Sequence, residues 1–197
     1  SQTVAHYWLP PRLVAYRAAH PAIAIAVEMG NSEQVRAWVR DGAVDCGLIE
    51  DEAADGDLTC TAVAEDELIV VCAPALQPRG RGMAERLKSL PWVFRESGSG
   101  TRAIFETALA GLGLAVADLS LTLELPSNEA VLSAVLAGGG AAALSRLVAG
   151  PLVKDGRLRQ LQMVGPKRRF YLIRSPARTV SRAEEALHQL LLTMRKR

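Results

Sequence analysis

The chain has 197 residues, enough for one large domain or two small lobes with cores of their own. Lys and Arg number 23 against 21 Asp and Glu, a balance that excludes a field strong enough to gather nucleic acid. Ser1-Gln2-Thr3 leads no basic segment into an apolar run, and the longest uncharged stretch, residues 130–145, is shorter than the ~20 residues that cross a bilayer. A soluble, cytoplasmic protein is therefore expected. Cys46, Cys60 and Cys72 fit that expectation: they are odd in number, form no C-x-x-C pair, and read as buried, reduced, inert thiols.

In chain order, residues 7–19 read as a helix with no strand ahead of it, so the strand that opens such a fold would lie outside the 197 residues. Residues 22–29 alternate through Ile23, Ile25, Val27 and Met29, which predicts a strand. Gly30 turns the chain. Asn31 or Ser32 caps a helix with Val35, Trp38 and Val39 on one face, ended by Gly42. Residues 46–49 and 68–72 are short buried strands, and Glu50-Asp51-Glu52 between them reads as a solvated loop. A strand from Pro91 to Phe94 runs into Gly98-Ser99-Gly100, then a helix over 101–112 follows. Residues 121–125 predict a strand, 129–136 a helix, 141–144 a strand and 169–173 another. Asp155-Gly156 is a turn, and Ser181 caps a last helix whose basic end, Arg195-Lys196-Arg197, reads as solvated. Strands and helices alternate, which predicts an α/β fold with helices covering parallel sheets.

The segment Phe94-Arg95-Glu96-Ser97-Gly98-Ser99-Gly100-Thr101-Arg102 carries most of the chemistry. A helix start leaves N–H groups unpaired and adds the positive end of the helix dipole, so this turn can hold an anion, with hydroxyls of Ser97, Ser99 and Thr101 as further donors. Ser1-Gln2-Thr3, Gly30-Asn31-Ser32 and Pro126-Ser127-Asn128 are similar junctions. Any one is an ordinary cap, but the set can converge where ligands of open α/β sheets bind. Lys is absent from all of these junctions, and Arg102 is the nearby cation, within reach of Glu96 or Glu106. Gly98-x-Gly100-x-x-Ala103 matches a loose dinucleotide fingerprint with Asp118 downstream, but the strand ahead of it ends in Arg95-Glu96 and the motif sits mid-chain. His6, His20 and His188 are scattered, and no nucleophile elbow, metal motif or G-K-[ST] occurs, so neither an enzyme nor a cofactor or metal site is expected.

Thr3-Val4-Ala5-His6-Tyr7-Trp8-Leu9-Pro10, Gly30-Asn31-Ser32 and Val44-Asp45-Cys46-Gly47-Leu48-Ile49-Glu50 come in order. The 90–102 run, Leu125-Pro126-Ser127-Asn128-Glu129-Ala130-Val131, Ala137-Gly138-Gly139-Gly140 and Leu144-Ser145 follow. This series resembles the effector-binding domain of LysR-type transcriptional regulators over essentially the whole chain. The resemblance implies a type 2 periplasmic-binding-protein-like fold, with two Rossmann-like lobes joined by crossover strands near 72–76 and 163–167. Lobe one would be residues 1–73 and 164–197, and lobe two 74–163. It implies a small anionic effector held between the lobes by Ser1, Thr3, Asn31, Ser32, Ser97, Ser99, Thr101 and Ser127. His6, Gly98, Gly100, Arg102 and Asn128 are further cleft candidates. It also implies a homodimer (a tetramer for the full-length protein) and DNA contact only through an N-terminal domain outside this chain. Some anion-sensing relatives carry Gln where this chain has Val4, which leaves the anion unnamed. A free-standing solute-binding protein of a transporter is the alternative on the same fold.

Overall fold

The computed structural model describes residues 1–51, 56–161 and 166–194, so Glu52, the basic end at 195–197 and residues 162–165 of the expected second crossover lie outside the described part. The elements are α1 (Pro10–Ala19), α2 (Ser32–Arg40), β1 (Gly47–Ile49), β2 (Thr59–Cys72), α3 (Met83–Lys88), β3 (Pro91–Arg95) and α4 (Gly100–Ala110). They continue as β4 (Ser120–Leu125), α5 (Asn128–Leu136), β5 (Ala141–Ser145), α6 (Arg146–Lys154), β6 (Arg159–Gln160), β7 (Lys167–Arg174) and α7 (Arg182–Thr193). Two compact units result: Ser1–Glu65 with Arg169–Arg197, and Asp66–Arg168.

In the first unit the chain winds as a π-helical turn, Val4–Trp8, before α1. Pro10 and Pro11 have no N–H to return to the carbonyls of His6 and Tyr7, so the ladder widens and Leu9 N–H donates to Val4 O at 2.8 Å. Val4 and Trp8 pack with Phe170, Leu172 and Leu191 as one core. The α2 face Val35/Val39 packs with Ile49, Leu58 and Ile173 as another. β1 pairs antiparallel with β7, Leu48 opposite Leu172.

Residues 22–29 are not a strand. Their alternation is that of a strand, but no neighbour pairs with them. Among the described residues no backbone hydrogen bond reaches residues 24–29. Val27 and Met29 stay 51% and 46% exposed.

In the second unit β2 pairs antiparallel with β5 and β6, while β3 runs parallel to β4 and β5. The sheet is therefore mixed, where alternation alone predicted parallel strands. Residues 68–72 are the buried end of the longer β2, whose earlier residues are mostly polar. Trp92 and Phe94 from β3 stack against Phe105 of α4, with centroids 5.1 and 5.8 Å away, and fix the helix on the sheet. α6 escapes sequence reading because Gly150-Pro151 looks like a breaker. Ser145 Oγ nevertheless caps it by accepting from Leu147 N–H at 3.0 Å, and Val148 and Ala149 are buried.

Candidate functional site: hydroxyl-rich helix starts

In the second unit the 94–102 segment is built as its residue types require. Gly98 takes φ of +82°, a region that side chains with a Cβ avoid. The chain then enters α4 with Ser99 as cap, its Oγ accepting from Arg102 N–H at 3.5 Å. Ser99, Gly100 and Thr101 are buried and Ser97 is exposed. The first-turn N–H groups have no partners within the helix and carry its positive pole.

The cation at this helix start is not Arg102. That guanidinium is held by Glu106 at 2.7 Å, Glu124 at 2.6 Å and the Arg95 carbonyl at 3.0 Å. Arg168 takes its place: Nη1 donates to Thr101 Oγ1 at 3.0 Å. Arg168 is in turn clamped by Asp66 at 2.7 Å, and Asp66 accepts from Ser145 Oγ at 2.9 Å. Both charged side chains are almost fully buried, at 1% and 2% exposure. Beside this chain, Arg95 donates to both Glu96 oxygens and, at 2.7 Å, to Asn128 Oδ1 at the start of α5. Ser127 caps α5 through Ala130 N–H at 3.0 Å.

Sequence reasoning missed Arg168, Asp66 and Arg95. A signal existed for Arg168. It shares a strand face with Phe170 and Leu172, so a charge stood where alternation demands an inward side chain.

In the first unit Asn31 forms a capping box with Gln34, accepting from its N–H at 3.0 Å and donating to its Oε1 at 2.9 Å. Ser32, the first residue of α2, is buried, and its Oγ is among the few buried side-chain atoms with no hydrogen-bond partner. Such a hydroxyl costs free energy until something bonds it.

The start at Thr3 is already met by a carboxylate. Glu50 Oε1 accepts from Ser1 Oγ at 2.9 Å and from Thr3 N–H at 3.0 Å, and Glu50 is only 2% exposed. Glu50 is thus no solvated loop residue, and neither is Asp51, which pairs with Arg36. His6 is exposed, with its ring edge-on to Tyr7. The cysteines are free; burial raises the Cys46 thiol to about 11, which keeps it inert at neutral pH. Among the described residues no acid or thiol cluster suits a metal, and no helix is long and apolar enough to cross a membrane.

The Ser1 nitrogen donates to Leu48 O at 2.6 Å, which ties the start of the segment to β1.

The family model for the LysR substrate binding domain matches residues 1–196, and the chain belongs to that family. It is 34% identical over 169 residues to the uncharacterized HTH-type transcriptional regulator YeiE of Escherichia coli, covering 85% of this chain and 56% of that protein. It is also 34% identical over 178 residues to a protein named phosphonates import ATP-binding protein PhnC of Anaeromyxobacter dehalogenans, covering 88% of this chain and 36% of that one. The chain therefore spans about a third to a little over half of these relatives. The regulatory domain of CcmR from Synechocystis PCC6803, solved in complex with 2-PG, shares the fold at TM-score 0.84 and 24% identity, over 98% of this chain and 94% of that one.

Proposed function

We propose that this domain is the effector sensor of a LysR-type transcriptional regulator and that it binds a small oxyanion or carboxylate without transforming it. The observation that carries the reading is the α4 start. There Ser99 and Thr101 meet first-turn N–H groups and the Arg168 guanidinium. In the first unit Ser32, at the start of α2, is a separate buried hydroxyl with no hydrogen-bond partner among the described residues. Because Arg168 is neutralised by Asp66, the anion's charge is met mainly by dipoles. Ligand class follows from that: small, anionic and rich in acceptor oxygens. In this reading the two compact units are the two lobes, and DNA contact belongs to chain outside residues 1–197.

A thermal-shift screen of sulfate, sulfite, thiosulfate, phosphate and common di- and tricarboxylates tests the proposal. A binder at ~100 times its dissociation constant adds about 2.7 kcal/mol, a melting shift of roughly 5–10 °C for a domain of this size. Thr101→Ala should shrink the shift, and His188→Gln should leave it unchanged. Stabilisation by neutral or cationic compounds alone defeats the anion assignment.

We also propose a homodimer. α1 leaves Val14 71% exposed, an apolar side chain suited to an isologous contact. Sedimentation at tens of micromolar should show a dimer; a monomer there counts against it.

A further inference from the structure

The second unit carries a charged patch that the α4 start does not use. Residues 79–88 hold four of the chain's 23 Lys and Arg and one of its 21 Asp and Glu. The segment is therefore +3, while the rest of the chain, net +2 in all, is −1. Among the described residues the guanidinium groups of Arg79, Arg81 and Arg86 make no hydrogen bond or ion pair. Elsewhere Arg36, Arg40, Arg95, Arg102, Arg146 and Arg168 each meet a carboxylate. Lys88 pairs with Asp118, and the segment's acid, Glu85, accepts from Arg81 N–H at 2.8 Å.

The backbone beneath these arginines is fixed. Arg159 anchors the incoming chain at Leu76 O and, at 2.6 Å, at Gln77 Oε1. Arg79 N–H donates to Ser89 Oγ at 2.8 Å, and that hydroxyl donates to Arg86 O at 2.8 Å. Gly80, at φ +120°, lies against α3: a Cβ there would stand 2.5 Å from Glu85 Cβ and 3.2 Å from Arg86 N. Three unpaired arginines are thus rooted around one short helix, where like charges repel until an anion joins them. A single exposed ion pair is worth little, so the fitting ligand is one molecule with several linked charges. Guanidinium forks match phosphate oxygens two at a time. Among the described residues 73–90 no large apolar side chain is exposed, and the segment holds no aromatic residue. A protein partner would find no anchor there, and a nucleotide base nothing to stack on. We propose that Arg79, Arg81 and Arg86 form a second anion site, separate from the α4 start, for a short chain of linked phosphates, inorganic or the tail of a nucleoside triphosphate.

Calorimetric titration of the chain with tripolyphosphate, without divalent metal, tests this. Binding should be one-to-one, roughly tenfold or more tighter than that of monophosphate, and weaker with added salt. Arg79→Gln, Arg81→Gln and Arg86→Gln should each weaken it roughly 2- to 5-fold. The triple variant should bind tripolyphosphate no better than monophosphate. Arg182→Gln, which removes an exposed charge from the other unit, should change nothing, and nor should Thr101→Ala. Tighter binding of ATP than of tripolyphosphate names a nucleotide tail as the source, and equal or weaker binding the inorganic chain; either supports the proposal. Equal affinity for monophosphate and tripolyphosphate, or an equal loss in Arg182→Gln, overturns it. So does tighter binding of a glutamate hexapeptide or of a short DNA duplex. Loss of binding in Thr101→Ala, with the triple variant unaffected, also overturns it and moves the ligand to the α4 start. The effector reading is decided separately, by the thermal shift that Thr101→Ala shrinks and the triple variant leaves intact.

Discussion

Asp66→Ala should destabilise the domain by roughly 3–5 kcal/mol, the cost of leaving a buried charge without its partner. Asp66 and Arg168 are almost inaccessible, so water cannot replace the lost carboxylate at the guanidinium. Ser145 Oγ loses its acceptor in the same step. Replacing both members, Asp66→Leu with Arg168→Met, should cost less than Asp66→Ala alone, because no bare charge then remains. Urea unfolding followed by circular dichroism measures both. A loss below about 1 kcal/mol for Asp66→Ala would place the pair with ordinary surface bridges. The same substitution leaves the Arg168 charge uncompensated beside Thr101, so any stabilising anion should bind more tightly to whatever folded protein remains.

The parts legible in the sequence are those where one local rule decides the outcome. Asn31, Ser99, Ser127 and Ser181 each cap the helix that their residue type and neighbours announce. Gly98 turns the chain where only glycine is at ease. The long-range parts were not legible. Asp66 and Arg168 are far apart in sequence, and nothing in either segment alone says that a carboxylate and a guanidinium meet beneath Thr101. Glu50 sits in an acidic run that looks solvated, yet it accepts from Ser1 and Thr3 at the other end of the first segment. Residues 22–29 show the converse: the strand pattern is present, but strand formation needs a partner on at least one edge, which no local pattern supplies.

Trp92→Ala should cost about 3–5 kcal/mol, the range for deleting a large aromatic from a closed core. The indole is fully buried and packs on Phe94 and Phe105, and its Nε1–H donates to the Leu87 carbonyl at 2.9 Å. Truncation therefore opens a cavity and also removes one hydrogen bond to the Leu87 carbonyl, to which Leu90 N–H still donates at 3.3 Å. Trp92→Phe separates the two losses: it retains much of the ring packing and gives up the hydrogen bond, so its cost should be nearer 1–2 kcal/mol. The consequence reaches the helix start. Phe105 lies on α4, one turn beyond Thr101, and the Trp92–Phe94–Phe105 stack seats that helix against β3. Loosening the stack lets Ser99 and Thr101 drift from the geometry that a small anion needs, and sub-ångström placement matters for charge-assisted bonds. Trp92→Ala should therefore lower the melting temperature and also reduce the anion-induced shift measured on protein still folded. Thr101→Ala should reduce that shift with a much smaller loss of stability. If Trp92→Ala lowers stability but leaves the anion response intact, the α4 start is positioned by its own cap and the Arg168 bond rather than by the aromatic core.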